Sequence, residues 1–115
     1  MPSRTGEMFE AVQGAVSETT TGDTTIIAAP GASISNFITK ILVTVSVYTA
    51  TSVIAIEDGA GGDRLGQWMA TGHYMIDFGE RGYKQTANTV LNLTVETANS
   101  TVHVTAIGYK SDKAG

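Results

Sequence analysis

The chain has 115 residues, the usual size of one domain and long enough to bury a hydrophobic core. It contains no cysteine, which excludes disulfides and thiolate metal sites. Its net charge of −4 argues against nucleic acid as a main partner, because phosphate binding needs clustered Lys and Arg. A charged fraction of 16%, against roughly 25% in ordinary domains, suits a plain β domain or a surface that contacts other subunits.

The first segment of the chain has no pattern that decides its structure. In the stretch MFEAVQGAVS, Phe9, Val12 and Val16 would share one face of a helix, whereas Met8, Val12 and Val16 would alternate along a strand. The N-terminus has no apolar run, so we find no secretory signal. Strand signals begin after this segment, and we therefore predict an N-terminal arm over residues 1–23.

A turn and a long strand follow. Ala29-Pro30-Gly31-Ala32 predicts a type II turn, since Pro presets φ at the second position and Gly accepts a positive φ at the third. Residues 34–48 predict one long strand or two shorter ones. Fifteen residues exceed the usual strand length, so we expect a bulge within 36–40. Alternation predicts that the odd-numbered aliphatic residues of this strand face the core, namely Ile41, Val43, Val45 and Val47.

The rest of the chain alternates between short strands and turns. Strands are predicted at 53–57, 64–68, 73–78, 90–96 and 101–109. The glycine-rich DGAGGD between the first two predicts a hairpin loop. Seven or eight short strands without a long helix predict an all-β, antiparallel sandwich or barrel. We place the β-sandwich domain at 24–110 and a flexible tail at 111–115.

Candidate chemistry is sparse. DGAGGDRLG lacks the Gly-Lys-Ser/Thr ending of a phosphate loop, and Asp58 with Asp63 is a thin ligand set for Ca²⁺. His73 and His103 have no metal-ligand spacing and read as surface residues of strands. No serine lies in a nucleophile elbow. We expect no enzyme, no metal and no cofactor. The apolar stretch 37–48 is too short and too polar to span a bilayer, so no membrane partner is expected.

Three stretches carry a resemblance to a known family: IIAAPG before the long strand, then TSVIAIEDGAGGDRL, then VLNLTVETANSTVHVT. Over residues 24–109 this order resembles the small jelly-roll β-sandwich decoration (cement) proteins of tailed bacteriophage capsids. The resemblance implies a jelly-roll-like antiparallel β-sandwich of about eight strands with an extended N-terminal arm. Pro30-Gly31 would then be the structural corner before the first long strand.

The resemblance also implies a role. Such proteins bind the outside of the expanded head, bridge neighbouring capsid subunits and are commonly homotrimers. The partner would be the major capsid protein, and the protein would be made in the host cytoplasm. The arm would reach the shell, although a disordered leader is the alternative. The expected interface residues are Arg4, Met8, Phe9, Val12, Val16, Trp68 and Tyr83. Deletion of residues 1–17 is then expected to preserve the fold and to weaken shell binding.

A second function class is a receptor- or glycan-binding β-module of a tail fibre or spike. It would use Trp68, Tyr74 or Tyr83 as stacking surfaces for sugars. Such modules are usually part of a much longer chain, and this chain has the length of one domain, which favours the decoration protein. A small hydrolase is the third class, and its nucleophile and base are missing.

Overall fold

The computed structural model describes residues 10–112, and their regular structure is entirely β. Within this range no helix is present that could span a membrane. The strands are β1 (Glu10–Glu18), β2 (Gly22–Ile27), β3 (Ser35–Val47), β4 (Val53–Asp58), β5 (Arg64–Trp68), β6 (Gly72–Asp77), β7 (Tyr83–Lys84), β8 (Leu91–Glu96) and β9 (Thr101–Ser111).

The strands form two antiparallel sheets in a jelly-roll order. One sheet runs β1-β9-β3-β6, with the short β7 also paired to β3, and the other runs β2-β8-β4-β5. The first strand thus pairs with the last, the second with the next to last, and the innermost β4 and β5 form a hairpin. This nesting is that of a long hairpin wrapped into two sheets, the jelly roll. The prediction of an antiparallel β-sandwich is confirmed.

Side chains from both sheets fill the space between them, as strand alternation requires. Of the positions predicted to face inward on β3, Ile41, Val43 and Val45 are buried. Alternate residues of β8 and β9 are buried with them, and Tyr74, Ile76 and Phe78 pack against this core from the β6 side. The fully buried large aliphatic residues are Ile38, Ile41, Val43, Val45, Ile54, Ile56, Leu91, Leu93, Val95, Val102 and Val104.

The long strand β3 contains two irregularities. The pairing with β9 shifts between Ile38 and Lys40, which confirms the predicted bulge. It shifts again between Val45 and Val47, and this second shift was not predicted. The inward position predicted for Val47 is therefore wrong, because the extra residue turns this side chain to the outer face, where 55% of it is exposed.

The Pro30-Gly31 corner is structural, although the turn lies two residues later than predicted. The hydrogen bond that closes it runs from Ile34 N to Gly31 O at 3.1 Å, with Ser33 at φ 66°. Gly31 adopts φ 120°, and its N–H donates to Asn88 Oδ1 at 3.1 Å. Gly31 thus connects the corner to the loop before β8 through this hydrogen bond. The local turn pattern does not indicate that contact.

The predicted arm needs correction within the described residues. All nine residues of β1 pair with β9, from Glu10 opposite Lys110 to Glu18 opposite Val102. Glu10–Glu18 is therefore an edge strand of the sandwich, and β2 already begins at Gly22. Of the helix and strand alternatives for this segment, the strand was correct. The pairing partner is β9, which a local sequence pattern cannot show. Residues 1–9 of the arm and 113–115 of the tail lie outside the described residues.

Glu18 organises the corner between β1 and β2. Its carboxylate accepts hydrogen bonds from Thr24 Oγ1 at 2.7 Å, from the Thr19 and Thr20 N–H groups, and from Thr20 Oγ1. The bond from Thr24, followed by that from the Thr19 N–H, lowers the pKa of Glu18 from 4.5 to about 2. The charged form is thus favoured by folding, and it holds the crossing between the two sheets.

We expect Glu18→Gln to destabilise the protein at pH 7 by about 1 kcal/mol, a value discounted because Glu18 is partly exposed. Since folding lowers this pKa, the contribution is complete above pH 4.5 and disappears as the pH falls towards 2. Urea unfolding of both proteins as a function of pH measures the difference. Glu10→Gln, on the same strand, is the control and should change stability by less than about 0.5 kcal/mol. A Glu18→Gln deficit that persists undiminished at pH 2 would contradict this account.

Candidate functional site

The outer face of the four-stranded sheet carries a network centred on Arg64. Arg64 Nε lies 3.3 Å from Glu57 Oε2, and Nη1 donates to Gln67 Oε1 at 2.7 Å. Nη2 lies 3.1 Å from both oxygens of Glu96. One guanidinium therefore joins β5, β4 and β8 across the sheet. The fork of donors on Arg suits this task, because a lysine cannot bond three partners in one plane.

The carboxylate of Glu57 is buried beneath this guanidinium. Its Oε1 accepts from Gly61 N at 3.1 Å and from Asn92 Nδ2 at 3.2 Å. The hydrogen bond to Glu96 raises the pKa of Arg64, and the charges of Glu96 and Glu57 raise it further. Because these groups satisfy one another within the chain, this face is held together internally and does not present a free binding set.

We expect Arg64→Ala to destabilise the protein by about 2 kcal/mol, because it leaves the carboxylate of Glu57 buried without its cation. The estimate lies below that for a fully buried pair because a third of the Arg64 side chain is exposed to solvent. Arg81→Ala is the matched control, since Arg81 is exposed and its loss removes the same charge. Thermal unfolding of both variants gives the comparison, and equal losses of stability would contradict a special role for Arg64.

The carboxylate of Asp58 also accepts its hydrogen bonds from groups within the chain. Its oxygens accept from Gln85 Nε2 at 2.9 Å, from Thr86 N at 3.1 Å and from Thr86 Oγ1 at 2.8 Å. The two ends of the glycine-rich loop are joined by Asp58 N donating to Asp63 O at 2.8 Å, which makes it the predicted hairpin loop. Across residues 10–112, no group of three or more acidic or histidine side chains is placed to hold a metal ion.

The outer face of the five-stranded sheet is different in character. Strand pairing sets its outward side chains in rows that run from β1 through β9 and β3 to β6. The central row holds Ala15, Thr105, Leu42 and Met75. The row on one side holds Ser17, His103, Thr44 and His73, and the row on the other holds Gln13, Ile107, Lys40 and Asp77. Lys40 and Asp77 are the only charged members of these three rows.

Both histidines of the chain lie on this face, as predicted for surface residues. Hydrogen bonds join His103 Nδ1 to Ser17 Oγ at 2.7 Å and His73 Nδ1 to Thr44 Oγ1 at 3.1 Å. Each ring is thus oriented by a hydroxyl on the neighbouring strand. At one corner of the face, a shallow depression of ≈ 390 Å³ is lined by Thr39, Lys40, Asp77, Gly79, Glu80 and Ile107.

The sequence-predicted interface residues occupy other places. Val12 and Val16 are half-buried and pack against the core of their own chain. Trp68 packs on the same core, with its ring centroid 5.9 Å from that of Tyr74. Tyr83 lies against Phe78 at 5.7 Å, and the structure does not bring it together with Trp68 in one cluster. Arg4, Met8 and Phe9 lie outside the described residues.

The aromatic side chains proposed as a stacking surface for sugars make hydrogen bonds and ring contacts within their own chain. Tyr74 donates its hydroxyl to the carbonyls of Ala70 and Thr71 at 3.0 and 3.1 Å. Burial raises the pKa of Tyr83, and the negative charges of Asp58 and Asp63 add to this effect. Tyr74 has Trp68 as a ring neighbour and Tyr83 has Phe78, so none of these observations favours a stacking surface for a ligand.

Sequence reasoning did not select the exposed apolar residues Leu42, Met75 and Ile107. A signal was available, because alternation places Leu42 and Met75 outward, and outward Leu or Met is unusual on a solvated strand face. To predict the rows themselves, one would need to know that β1, β9, β3 and β6 pair in this order, and the sequence does not show the order of strands in a sheet.

Comparisons with known proteins agree with this fold. No family model and no curated protein matches the sequence. Among solved structures, a chain of the cyanophage Pam1 capsid asymmetric unit is similar, with a TM-score of 0.54 and 16% sequence identity. The match covers 90% of this chain and 86% of that chain, so the two are of comparable length. At this identity the likeness shows a shared fold and nothing more specific.

Proposed function

We propose that the chain is a structural protein of a phage virion, and in particular a decoration protein on the outside of the expanded head. The single observation that carries this is the whole-chain likeness to a component of a phage capsid asymmetric unit. The resemblance of residues 24–109 to decoration proteins supports the same function from the sequence side. The protein would bind the major capsid protein, bridge its subunits and be made in the host cytoplasm.

The two outer faces are consistent with association with other protein subunits, either the shell or further copies of the chain. The network around Arg64 ties one face together, whereas the other presents a nearly uncharged surface with exposed Leu42, Met75 and Ile107. Charge is depleted at the centre of protein interfaces, and exposed apolar groups are concentrated there. The proposal assigns the chain a structural role and no catalytic one.

The proposed mechanism is mass action. A protein that binds the expanded lattice and not the unexpanded shell stabilises the expanded state by its binding free energy. Residues 1–9 keep their proposed role as a reaching segment, in which Arg4 pairs with shell carboxylates and Met8 and Phe9 offer apolar contact. The trimer implied by the resemblance remains a prediction.

Addition of the protein to expanded heads that lack it tests this mechanism. Saturating protein should raise the temperature at which the heads release their DNA, and the rise should follow protein concentration as linkage requires. Immature shells should show no such shift. An unchanged release temperature at saturating protein would contradict the decoration role.

A further inference from the structure

Exposed large hydrophobic residues are concentrated on one face of the molecule. Among the described residues, five large hydrophobic side chains are exposed, and four of them lie on the outer face of the five-stranded sheet: Leu42, Val47, Met75 and Ile107. The fifth, Met69, follows β5 and lies beside Gln67 on the other sheet. This distribution marks the face of the five-stranded sheet as the one that gains most from being covered.

The charge distribution favours a second copy of the chain as the cover. The charges of Lys40 and Asp77 cancel on the three central rows, so the net charge of −4 is carried by the rest of the chain. Apart from Lys40 and Asp77, residues 10–112 carry nine acidic and four basic side chains, so the remaining surface is anionic and disfavours contact between two copies. Two copies that meet here place a neutral surface between them and keep their negative charges apart.

The shape of the central row is self-complementary. Its bulky side chains, Leu42 and Met75, lie on β3 and β6, and its small ones, Thr105 and Ala15, lie on β9 and β1. A two-fold axis parallel to the strands, between β9 and β3, sets the bulky half of each copy on the small half of the other. Sheets packed face to face in an aligned manner have this interdigitation.

We propose that two copies of the chain pair face to face through the outer surface of the five-stranded sheet. One patch that meets itself gives a two-fold dimer, whereas a trimer needs two different patches. From the distances between strands and between rows, we estimate that the outward side chains of the four strands present a contact area of about 500 Å² per copy. About 1,000 Å² in total lies at the low end of specific interfaces, which is typical of weak, reversible association. The pairing concerns the purified protein in solution and is an alternative to the trimer that the resemblance implies; it does not depend on head binding.

Sedimentation equilibrium of the purified full chain from about 1 to about 500 μM tests the pairing. We expect a reversible monomer–dimer equilibrium. Met75→Glu should raise the dimer Kd at least about tenfold, because it buries a charge against Ala15 of the other copy at two symmetry-related points of the contact. Met69→Glu is the matched control, since the two methionines are 59% and 53% exposed and only Met75 is on the face. It should leave Kd within about twofold of the wild type.

Salt provides a second readout. A contact without net charge between two anionic copies should tighten slightly, or stay unchanged, as NaCl rises from about 0.05 to about 0.5 M. A monomer at all concentrations, a trimer, or equal weakening by both methionine substitutions would each overturn the proposal. Binding to heads is measured in a separate experiment. A failure of the dimer proposal therefore does not affect the proposed decoration role, and the reverse also holds.

Discussion

Gly14→Ala should lower the stability of the protein by at least about 3 kcal/mol, the upper range for overpacking, because backbone blocks the new methyl group. A Cβ at Gly14 would lie 1.9 Å from the carbonyl oxygen of Ile26. Gly14 is on β1 and Ile26 is on β2, so this is the point at which the edges of the two sheets approach. No rotamer change relieves the clash, and the strands must separate.

Thermal unfolding measures this effect, and a loss of about 3 kcal/mol corresponds to a Tm lower by roughly 12–20 °C in a domain of this size. Ala11→Val, on the same strand, is the control because Ala11 is exposed and its larger side chain enters solvent. A Tm for Gly14→Ala within a few degrees of the wild type would show that β1 and β2 are farther apart than described.

Deletion of residues 1–17 should leave the protein largely unfolded at 25 °C, which reverses the expectation from sequence. The deletion removes all of β1 except its last residue and exposes the long edge of β9. It also removes Val12 and Val16, which are half-buried against the core and together worth about 2 kcal/mol, in addition to the ladder of hydrogen bonds. Domains of this size have only about 5–15 kcal/mol of stability to lose.

Deletion of residues 1–9 is the matched control, because it spares every residue of β1. This shorter deletion should keep the Tm within a few degrees of the full chain and should weaken binding to heads if the proposed segment reaches the shell. Circular dichroism and unfolding in urea compare both deletions with the full chain. A cooperative transition of normal stability for the longer deletion would contradict the role given to β1.

Much of the fold could be predicted from alternation and turns. Leu91, Leu93 and Val95 are buried as their alternation indicates, and the bulge before Lys40 was expected from strand length alone. β1 was left undecided because Gly14 weakens both helix and strand signals. Its glycine serves the contact with Ile26, a residue of another strand, so the local pattern had no means to show it.

The candidate site was less accessible from the sequence. Arg64 was predicted only as the first residue of a strand at 64–68, yet it bonds Glu57, Gln67 and Glu96 on three strands. The neutral face forms only when residues far apart in the chain, such as Ala15, Thr105 and Leu42, are aligned by the sheet. Such alignment depends on sheet order, whereas sequence patterns report on one strand at a time.

Co-sedimentation of the purified protein with expanded heads, immature shells and tails of a tailed phage whose genome carries this sequence tests the central claim most directly. The decoration role predicts saturable binding to expanded heads alone, with a copy number that reports the symmetry of the attachment sites. Binding to tails, or to none of the three particles, would contradict it and would favour a receptor-binding module.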